Sequence, residues 1–349
     1  MSTARRHRLF EAGFRTIAAT GADRWLAPLA RGRGVILTFH HVRPEPPGAY
    51  APNRLLAITP DFLDHVLLTL ARRGFEVISL DAVPERLAGT GRAPFAVLTF
   101  DDGYRDNVEH AAPVLRRHGA PWTLFVTSDF AGGRGRLWWL ELERAIGRLR
   151  RVRLPGTQID LPAGSDAEKR AAFEVVYRHL RAGPEGHLLA EIAGLCEQAG
   201  IAAGTLAREL CLSWDELRGL GRDPTVTFGA HTISHPMLAK HDAATLRREV
   251  EAGREDLARE LGRPVRHLSY PVGDPSSAGQ REFALARQLG FSTAVTTRPG
   301  HLFPGHVDHL QALPRVSVNG CHQSPAALAS LLSGVPFLAW NRGRRLNVG

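Results

Sequence analysis

The sequence predicts an α/β barrel of about seven or eight parallel strands, interrupted once by a helical insertion. Three observations carry that expectation. Short apolar runs alternate with amphipathic helical segments, the pattern of parallel strands joined by crossover helices. The alternation lapses over residues 131–220 and then resumes. The residues with chemical potential (His40, Asp101-Asp102, His231 and Pro271-Val272-Gly273) each stand where a predicted strand ends. In a parallel barrel those ends share one face.

Residues 1–34 form an expected helical extension. Their basic opening (Arg5, Arg6, Arg8) is like the start of a signal peptide, but Glu11, Arg15, Asp23 and Arg24 interrupt the apolar stretch that one requires. Phe10, Phe14, Ile17 and Ala18 keep helical spacing, so this helix either packs on the barrel or lies against anionic lipid. The first strand, over 35–42, ends in His40-His41. Thr59-Pro60-Asp61 opens a helix with proline just inside it and an acid in its first turn. Phe62, Val66, Leu67 and Leu70 make the buried stripe of that helix and Gly74 ends it. Strands at 76–80 and 95–100, a helix at 108–118 and a strand at 122–127 follow. Within the interruption, Leu137-Trp138-Trp139-Leu140, an arginine-rich stretch at 148–153 and helices at 167–181 and 185–200 read as an insertion over the catalytic face. The rhythm resumes with a strand at 226–230, a helix at 243–261, a strand at 268–271, a helix at 276–289, and strands at 291–297 and 314–318. On the 243–261 helix Leu246, Val250, Leu257 and Leu261 take one side, and the charges form a solvated face. The barrel thus spans 35–332, and a basic tail, 333–349, is expected to be exposed and frayed from 341 onward.

Of the 349 residues 44% are hydrophobic and 23% charged, which permits a sizeable core and is ordinary for a soluble enzyme. The formal charge of +9 is carried almost entirely by arginine, since Lys169 and Lys240 are the only lysines. Such a charge either favours polyanions or reflects no more than an arginine-rich coding bias. The sequence has no block of five like charges, no zinc-finger spacing and no aromatic-interleaved RNA motif, so nucleic acid is not an expected partner. Cys196, Cys211 and Cys321 are odd in number and widely spaced; they build no disulfide framework and suit a reducing compartment. No segment approaches the roughly 18 apolar residues of a membrane span. The expected location is cytoplasmic, with peripheral membrane contact left open.

Thr99-Phe100-Asp101-Asp102-Gly103-Tyr104 closes an apolar run, so two adjacent carboxylates leave a buried strand. They repel unless a cation or a shared proton relieves them. In Gly229-Ala230-His231-Thr232-Ile233-Ser234-His235 the histidines stand four apart, which lets both imidazoles share one side of a helical turn, and Gly229 lets the backbone approach closely. Asp102, His231 and His235 together make an Asp-His-His metal site with Asp101 spare beside it. Metal-assisted hydrolysis requires that set: three ligands, an open position for water, and a base.

Thr-Phe-Asp-Asp-Gly-Tyr followed by His-Thr-x-x-His-Pro resembles the polysaccharide deacetylase family of the NodB homology type, carbohydrate esterase family 4. Ser269-Tyr270-Pro271-Val272-Gly273 is similar to the family's third motif, and Leu313-Pro314-Arg315-Val316-Ser317-Val318 resembles a late segment of one subgroup. Leu37-Thr38-Phe39-His40-His41-Val42 resembles the first strand of members with a Tyr-His or Phe-His pair. The resemblance runs over 35–332, apart from much of the insertion. It implies a distorted (β/α)7-type barrel and one divalent metal, commonly zinc, on Asp102, His231 and His235. It also implies Asp101 as general base, the Val272 backbone N–H as oxyanion donor, and Tyr104, Tyr270 and Pro271 bordering the substrate.

Two departures shape the remaining expectations. The third motif often begins with an arginine that orients the base; Ser269 stands there, and Arg315 is expected to pair with Asp101 instead. The late Leu-x-His motif that carries the general acid is not evident, which makes His40 the first candidate, ahead of His306, His309 and His322. Trp138, Trp139 and Trp214 either stack on sugar rings or pack the core. The expected reaction is hydrolysis of N-acetyl groups on a hexosamine glycan, a short N-acetylglucosamine oligosaccharide or a lipid-linked sugar, releasing acetate. Two alternatives stay open: a metal hydrolase of the same fold acting on O-acetyl esters or other non-peptide C–N bonds, and a non-catalytic glycan-binding homologue, which would have no need of Asp101.

Overall fold

Uncharged six-residue runs form the first two barrel strands, β1 (Gly34–Phe39) and β2 (Phe95–Phe100), buried along their whole length. Burial on both faces is what covering helices impose on a parallel sheet. The structure, a computed structural model, describes residues 3–44, 49–91 and 93–348. β1 and β2 pair in register from Gly34 with Phe95 to Phe39 with Phe100. β3 (Trp122–Val126), β4 (Val226–Ala230), β5 (His267–Ser269), β6 (Thr293–Pro299) and β7 (Leu313–Ser317) follow, each parallel to the last. β7 returns to β1 through Leu37 and Val316, closing a seven-stranded parallel barrel. The strand expected at 76–80 survives only as Glu76–Val77, which pairs with the start of β2 outside the ring.

The covering helices show where local rules hold and where they yield. α1 (Thr3–Ala19) packs on the far end of the chain, as described below. α2 (Pro60–Arg72) starts as predicted, with the Thr59 hydroxyl accepting from the Phe62 N–H. The helix expected at 108–118 opens instead as a π-turn, Asn107–Ala111, before α3 (Ala112–Arg117). Pro113 explains the widening, because it has no N–H to donate to the carbonyl four residues back. The helix expected from 276 begins only at Gln280, since Asp274 accepts from the N–H and hydroxyl of Ser276 and holds a turn there.

The insertion is more ordered than its sequence indicated. α4 (Trp138–Arg148) was not foreseen, and part of the arginine-rich stretch forms an antiparallel hairpin, Arg151–Arg153 against Asp160–Pro162. α5 (Asp166–Ala182) and α6 (Glu185–Gln198) complete it around a core of Leu142, Ile146, Phe173, Val176 and Ile192. Tyr104 and Met237, from loops at the carboxyl end of the barrel, belong to that same core. α7 (Ala243–Leu261) buries Leu246, Val250 and Leu257 as its spacing requires. α8 (Gln280–Gln288) precedes β6, and α9 (Pro325–Ser333) follows β7 and receives α1, whose Phe14 is buried and accepts at its carbonyl from the Ser330 hydroxyl.

The tail corrects an expectation. Asn341 and Asn347 both donate to the Pro299 carbonyl, and the Val348 carbonyl accepts from Gln280, so the segment is tied down rather than frayed. Among the described residues no helix is long and apolar enough to cross a membrane.

Candidate active site

The ladder carries β2 as far as the Asp101 N–H, which donates to the Phe39 carbonyl at 3.0 Å. The chain then turns through two left-handed residues, Asp102 (φ 72°) and Gly103 (φ 67°). Thr232 (φ 65°), His235 (φ 64°) and Val272 (φ 60°) are left-handed as well; among the described residues only Arg342 adds to these non-glycine cases. Each such residue stores about 1–3 kcal/mol, and for β-branched Val272 the conformation is a true outlier. Backbone strain is therefore gathered at the carboxyl ends of β2, β4 and β5.

His231 and His235 stand on a loop, not on the helical turn inferred from their spacing. That loop is held from three sides. The His231 N–H donates to the Val126 carbonyl, and the Ser128 and Asp129 N–H groups donate to Thr232 and Ile233. The buried Glu249 carboxylate on α7 accepts from the N–H groups of Ile233 and Ser234 and from the Ser234 hydroxyl, at 3.0–3.1 Å. Gly253 allows α7 to approach: a Cβ there would lie 2.6 Å from the Thr232 carbonyl carbon. Gly229 acts similarly toward the Phe125 ring, which a Cβ would meet at 2.3 Å.

His231 Nε2 and His235 Nε2 lie 3.4 and 3.5 Å from Asp102 Oδ1, and the three ligand atoms are all within 4.8 Å of one another. Ligand atoms around a tetrahedral ion with bonds of about 2.0–2.1 Å stand about 3.4 Å apart. Asp102 Oδ1 is buried and has no hydrogen-bond partner, an orphan that a cation would satisfy. His231 Nδ1 lies 2.7 Å from the Ser269 carbonyl, so it carries the proton and leaves Nε2 free to ligate. Burial pushes the His235 imidazole down to about 4, so it is neutral at pH 7 and its lone pair is available. Burial works against the charge on Asp102, but the imidazoles of His231, His235 and His40 around it hold its carboxyl well below the usual range. The residues fit one divalent cation.

Asp101 lies beside this set in the barrel mouth. Arg315 grips it with two parallel hydrogen bonds, Nη1 to Oδ1 at 2.8 Å and Nη2 to Oδ2 at 2.7 Å, as the sequence led us to expect. The guanidinium is itself fixed by the Thr296 carbonyl, the Thr99 hydroxyl and the Ser269 hydroxyl, all buried. Burial raises the Asp101 carboxyl, but the charge and hydrogen bonds of Arg315 outweigh it, and the net shift is downward. His40 is half-buried at the end of β1. Burial lowers its pKa, with Asp101 and Asp102 pulling the other way.

Two residues that the sequence reading passed over shape this corner. Asn107 donates its amide to the His40 carbonyl at 2.6 Å, and Asp106 accepts from His41 Nδ1 at 2.6 Å and from the Val42 N–H. Asn107 opens the π-turn and Asp106 is the residue just before it. The Val272 N–H donates to no acceptor among the described residues, while its carbonyl accepts from the Thr297 hydroxyl.

Other expected contacts are corrected. Tyr270 is fully buried, donates its hydroxyl to the Gln311 carbonyl and packs on Phe283, so it offers no surface to a substrate. Tyr104 is fully buried as well, its ring stacked on His41 at 3.6 Å between centroids. Pro271 is buried between these loops, and only Val272 of that motif is part-exposed. Trp138 packs into the insertion core against Tyr177. Trp139, 7% exposed, lies against the His235 ring at 4.9 Å and so supports a ligand rather than a sugar. Trp214 is half-buried against the barrel core. His306 and His309 lie on a 3-10 turn just after Leu302, which pairs with Gly34 at the opposite end of the barrel. His322 is enclosed by Phe10, Phe14 and Glu11 of α1.

A buried Asp-His-His set with a second, arginine-held carboxylate beside it, at the carboxyl end of a parallel barrel, defines a hydrolase site. A family model described as polysaccharide deacetylase matches residues 88–294, well over half of the chain, and that span holds Asp101, Asp102, His231, His235 and Val272. The chain belongs to the polysaccharide deacetylase family and is a hydrolase acting on carbon–nitrogen bonds. Among solved structures it is similar to the Streptococcus pyogenes deacetylase PplD in complex with acetate, at 17% identity and a TM-score of 0.52, over 85% of this chain and 97% of that one. IcaB from Ammonifex degensii is similar at 18% identity and a TM-score of 0.53, over 87% and 97%. A polysaccharide deacetylase from Bacillus cereus is similar at 15% and 0.54, over 86% and 68%. At these identities the likeness is one of fold. No curated protein matches the chain.

Proposed function

We propose that the protein removes N-acetyl groups from hexosamine glycans, short N-acetylglucosamine oligosaccharides or lipid-linked sugars, releasing acetate and leaving a free amine. The observation that carries this reading is the division between two adjacent aspartates. Asp102 presents an unpartnered oxygen to two imidazoles, while Asp101 is turned to a guanidinium. A glycan-binding protein has no use for the second carboxylate; a hydrolase needs it as a base.

Asp102, His231 and His235 would hold one divalent cation, zinc being favoured by a donor set of two imidazoles and a carboxylate; when bound it would supply Lewis acidity and lower the pKa of water. Asp101, kept ionised by Arg315, takes one proton from the attacking water. The Val272 N–H, pre-set by its left-handed backbone, donates to the acyl oxygen as charge develops there, an effect worth about 3 kcal/mol per donor. His40, whose backbone Asn107 fixes and whose imidazole feels the charge of Asp101, relays to the departing nitrogen the proton that Asp101 took from the water, since an amine anion does not leave unaided. Water is thus divided between acetate and the amine.

The metal-loaded protein is to be incubated with N-acetylhexosamine oligomers, polyprenyl-linked precursors and O-acetyl sugars, with acetate and product mass read out. We expect loss of acetyl from an N-acetyl substrate. Acetate from the O-acetyl sugars alone would transfer the assignment to the ester. Asp101→Asn should lower turnover by about 100-fold or more while retaining the metal. Loss of the metal in that variant would contradict the division of labour.

A further inference from the structure

We propose that the layer formed by the two chain ends is a docking surface for an anionic lipid bilayer. It consists of α1, the short helices Ala22–Trp25 and Ala27–Ala30, and the helix Val335–Trp340 with the residues after it. The inward sides are spoken for: Phe14, Ala22, Ala27 and Ala30 are buried, and a Cβ on Gly334 would come within 2.3 Å of the Ala30 carbonyl oxygen. The outward sides carry what a soluble surface ordinarily avoids. Leu9, Trp25, Leu29 and Trp340 are 62%, 64%, 61% and 57% exposed. Of the nine large apolar side chains exposed among the described residues, these four and Leu346 lie in this one layer.

Position makes them a surface. Trp25 and Leu29 stand four residues apart on consecutive helical turns, so they share a face. Trp340 lies against Phe10, next in sequence to Leu9, at 5.7 Å between rings. The Trp25 indole N–H donates to the Thr20 carbonyl at 3.3 Å, which pins an exposed ring in place. An indole with an apolar body and a satisfied N–H suits the boundary between headgroups and acyl chains.

Charge selects the occupant. Over 7–30 and 335–348 the chain carries six arginines against two acids, Glu11 and Asp23. Asp23 is buried and paired with Arg73, and Glu11 pairs with Arg15. Arg8, Arg24, Arg342 and Arg344 are exposed and form no ion pair among the described residues. Apolar side chains ringed by unpaired arginines match anionic headgroups over acyl chains. Ala30 leads within four residues to Gly34, the amino end of β1. Trp25 and Leu29 thus lie toward the barrel end opposite Asp102, and docking leaves the catalytic mouth open.

The full chain is to be sedimented with vesicles of phosphatidylcholine alone and of phosphatidylcholine with phosphatidylglycerol. Binding to the anionic vesicles, weakened by salt, is expected. Trp25→Ser with Leu29→Ser, and separately Arg8→Ala with Arg24→Ala, should each lower partitioning about tenfold or more. Both variants should release acetate from a soluble substrate as the parent does, which also reports that they are folded. Failure to bind anionic vesicles, or equal binding by parent and variants, overturns the proposal. So does a parent dimer in sedimentation velocity that the Trp25→Ser/Leu29→Ser variant dissolves, because a second copy would then cover the patch.

Discussion

Asp101 and Asp102 are the same residue type, one bond apart in the chain, and their surroundings assign them different work. Asp101 sits in a fork of two charge-assisted hydrogen bonds from Arg315; Asp102 keeps an oxygen free. Removing Arg315 takes away the strongest influence opposing burial and leaves only the weaker pull of His231 and His40 against it, and burial raises a carboxyl pKa. In Arg315→Ala the base therefore stays protonated to higher pH. The acid limb of kcat/KM moves upward in pH, and the unpaired buried charge lowers stability by about 3–5 kcal/mol. A pH–rate profile and a thermal melt check this, and an unmoved acid limb would remove Arg315 from the base's control. This pair was legible in the sequence because Ser269 stands where an arginine is usual. Asp106 and Asn107 were not legible, because their partners, His40 and His41, lie more than sixty residues back, just after β1.

Elements show where local pattern misleads. The spacing of His231 and His235 fits a helix, yet left-handed Thr232 and His235 and the grip of Glu249 make it a loop. One carboxylate accepting three hydrogen bonds holds the segment between two metal ligands, so Glu249 belongs to the outer support of the site. Glu249→Ala is expected to weaken metal affinity about 10–100-fold with Asp101 untouched, measured by competition with a chelator of known affinity. Unchanged affinity would mean that the loop is held by Val126 and the residues after it alone. The π-turn at Asn107 belongs to the same lesson. Pro113 is visible in the sequence, but the direction in which it re-aims Asn107 depends on the strand lying alongside.

Across the whole molecule, the ligands are joined only by the pairing of strands distant in sequence. Asp102 leaves β2 and the histidines leave β4, with β3 between them in the ring. A cation bridging these loops binds the folded state alone and stabilises it by about 4 kcal/mol at a thousandfold excess over its Kd. Addition of a chelator should lower Tm, and Asp102→Ala should abolish that response; a Tm indifferent to chelation would argue against a shared ion. The insertion packs around its own core but includes Tyr104 and Met237, so its order is tied to the catalytic loops.

By itself the sequence determined the chemistry on offer and the strand ends at which it appears. Apolar runs, helix starts and the two aspartate and histidine motifs are local, and their consequences are local. Ring closure at seven strands, the role of Trp139 as a prop for His235, the burial of Tyr270 and the anchored tail were decided only in three dimensions. Each of these depends on which distant segment arrives alongside. A side chain's exposure and hydrogen-bond partner are properties of that packing, not of its neighbours in the chain.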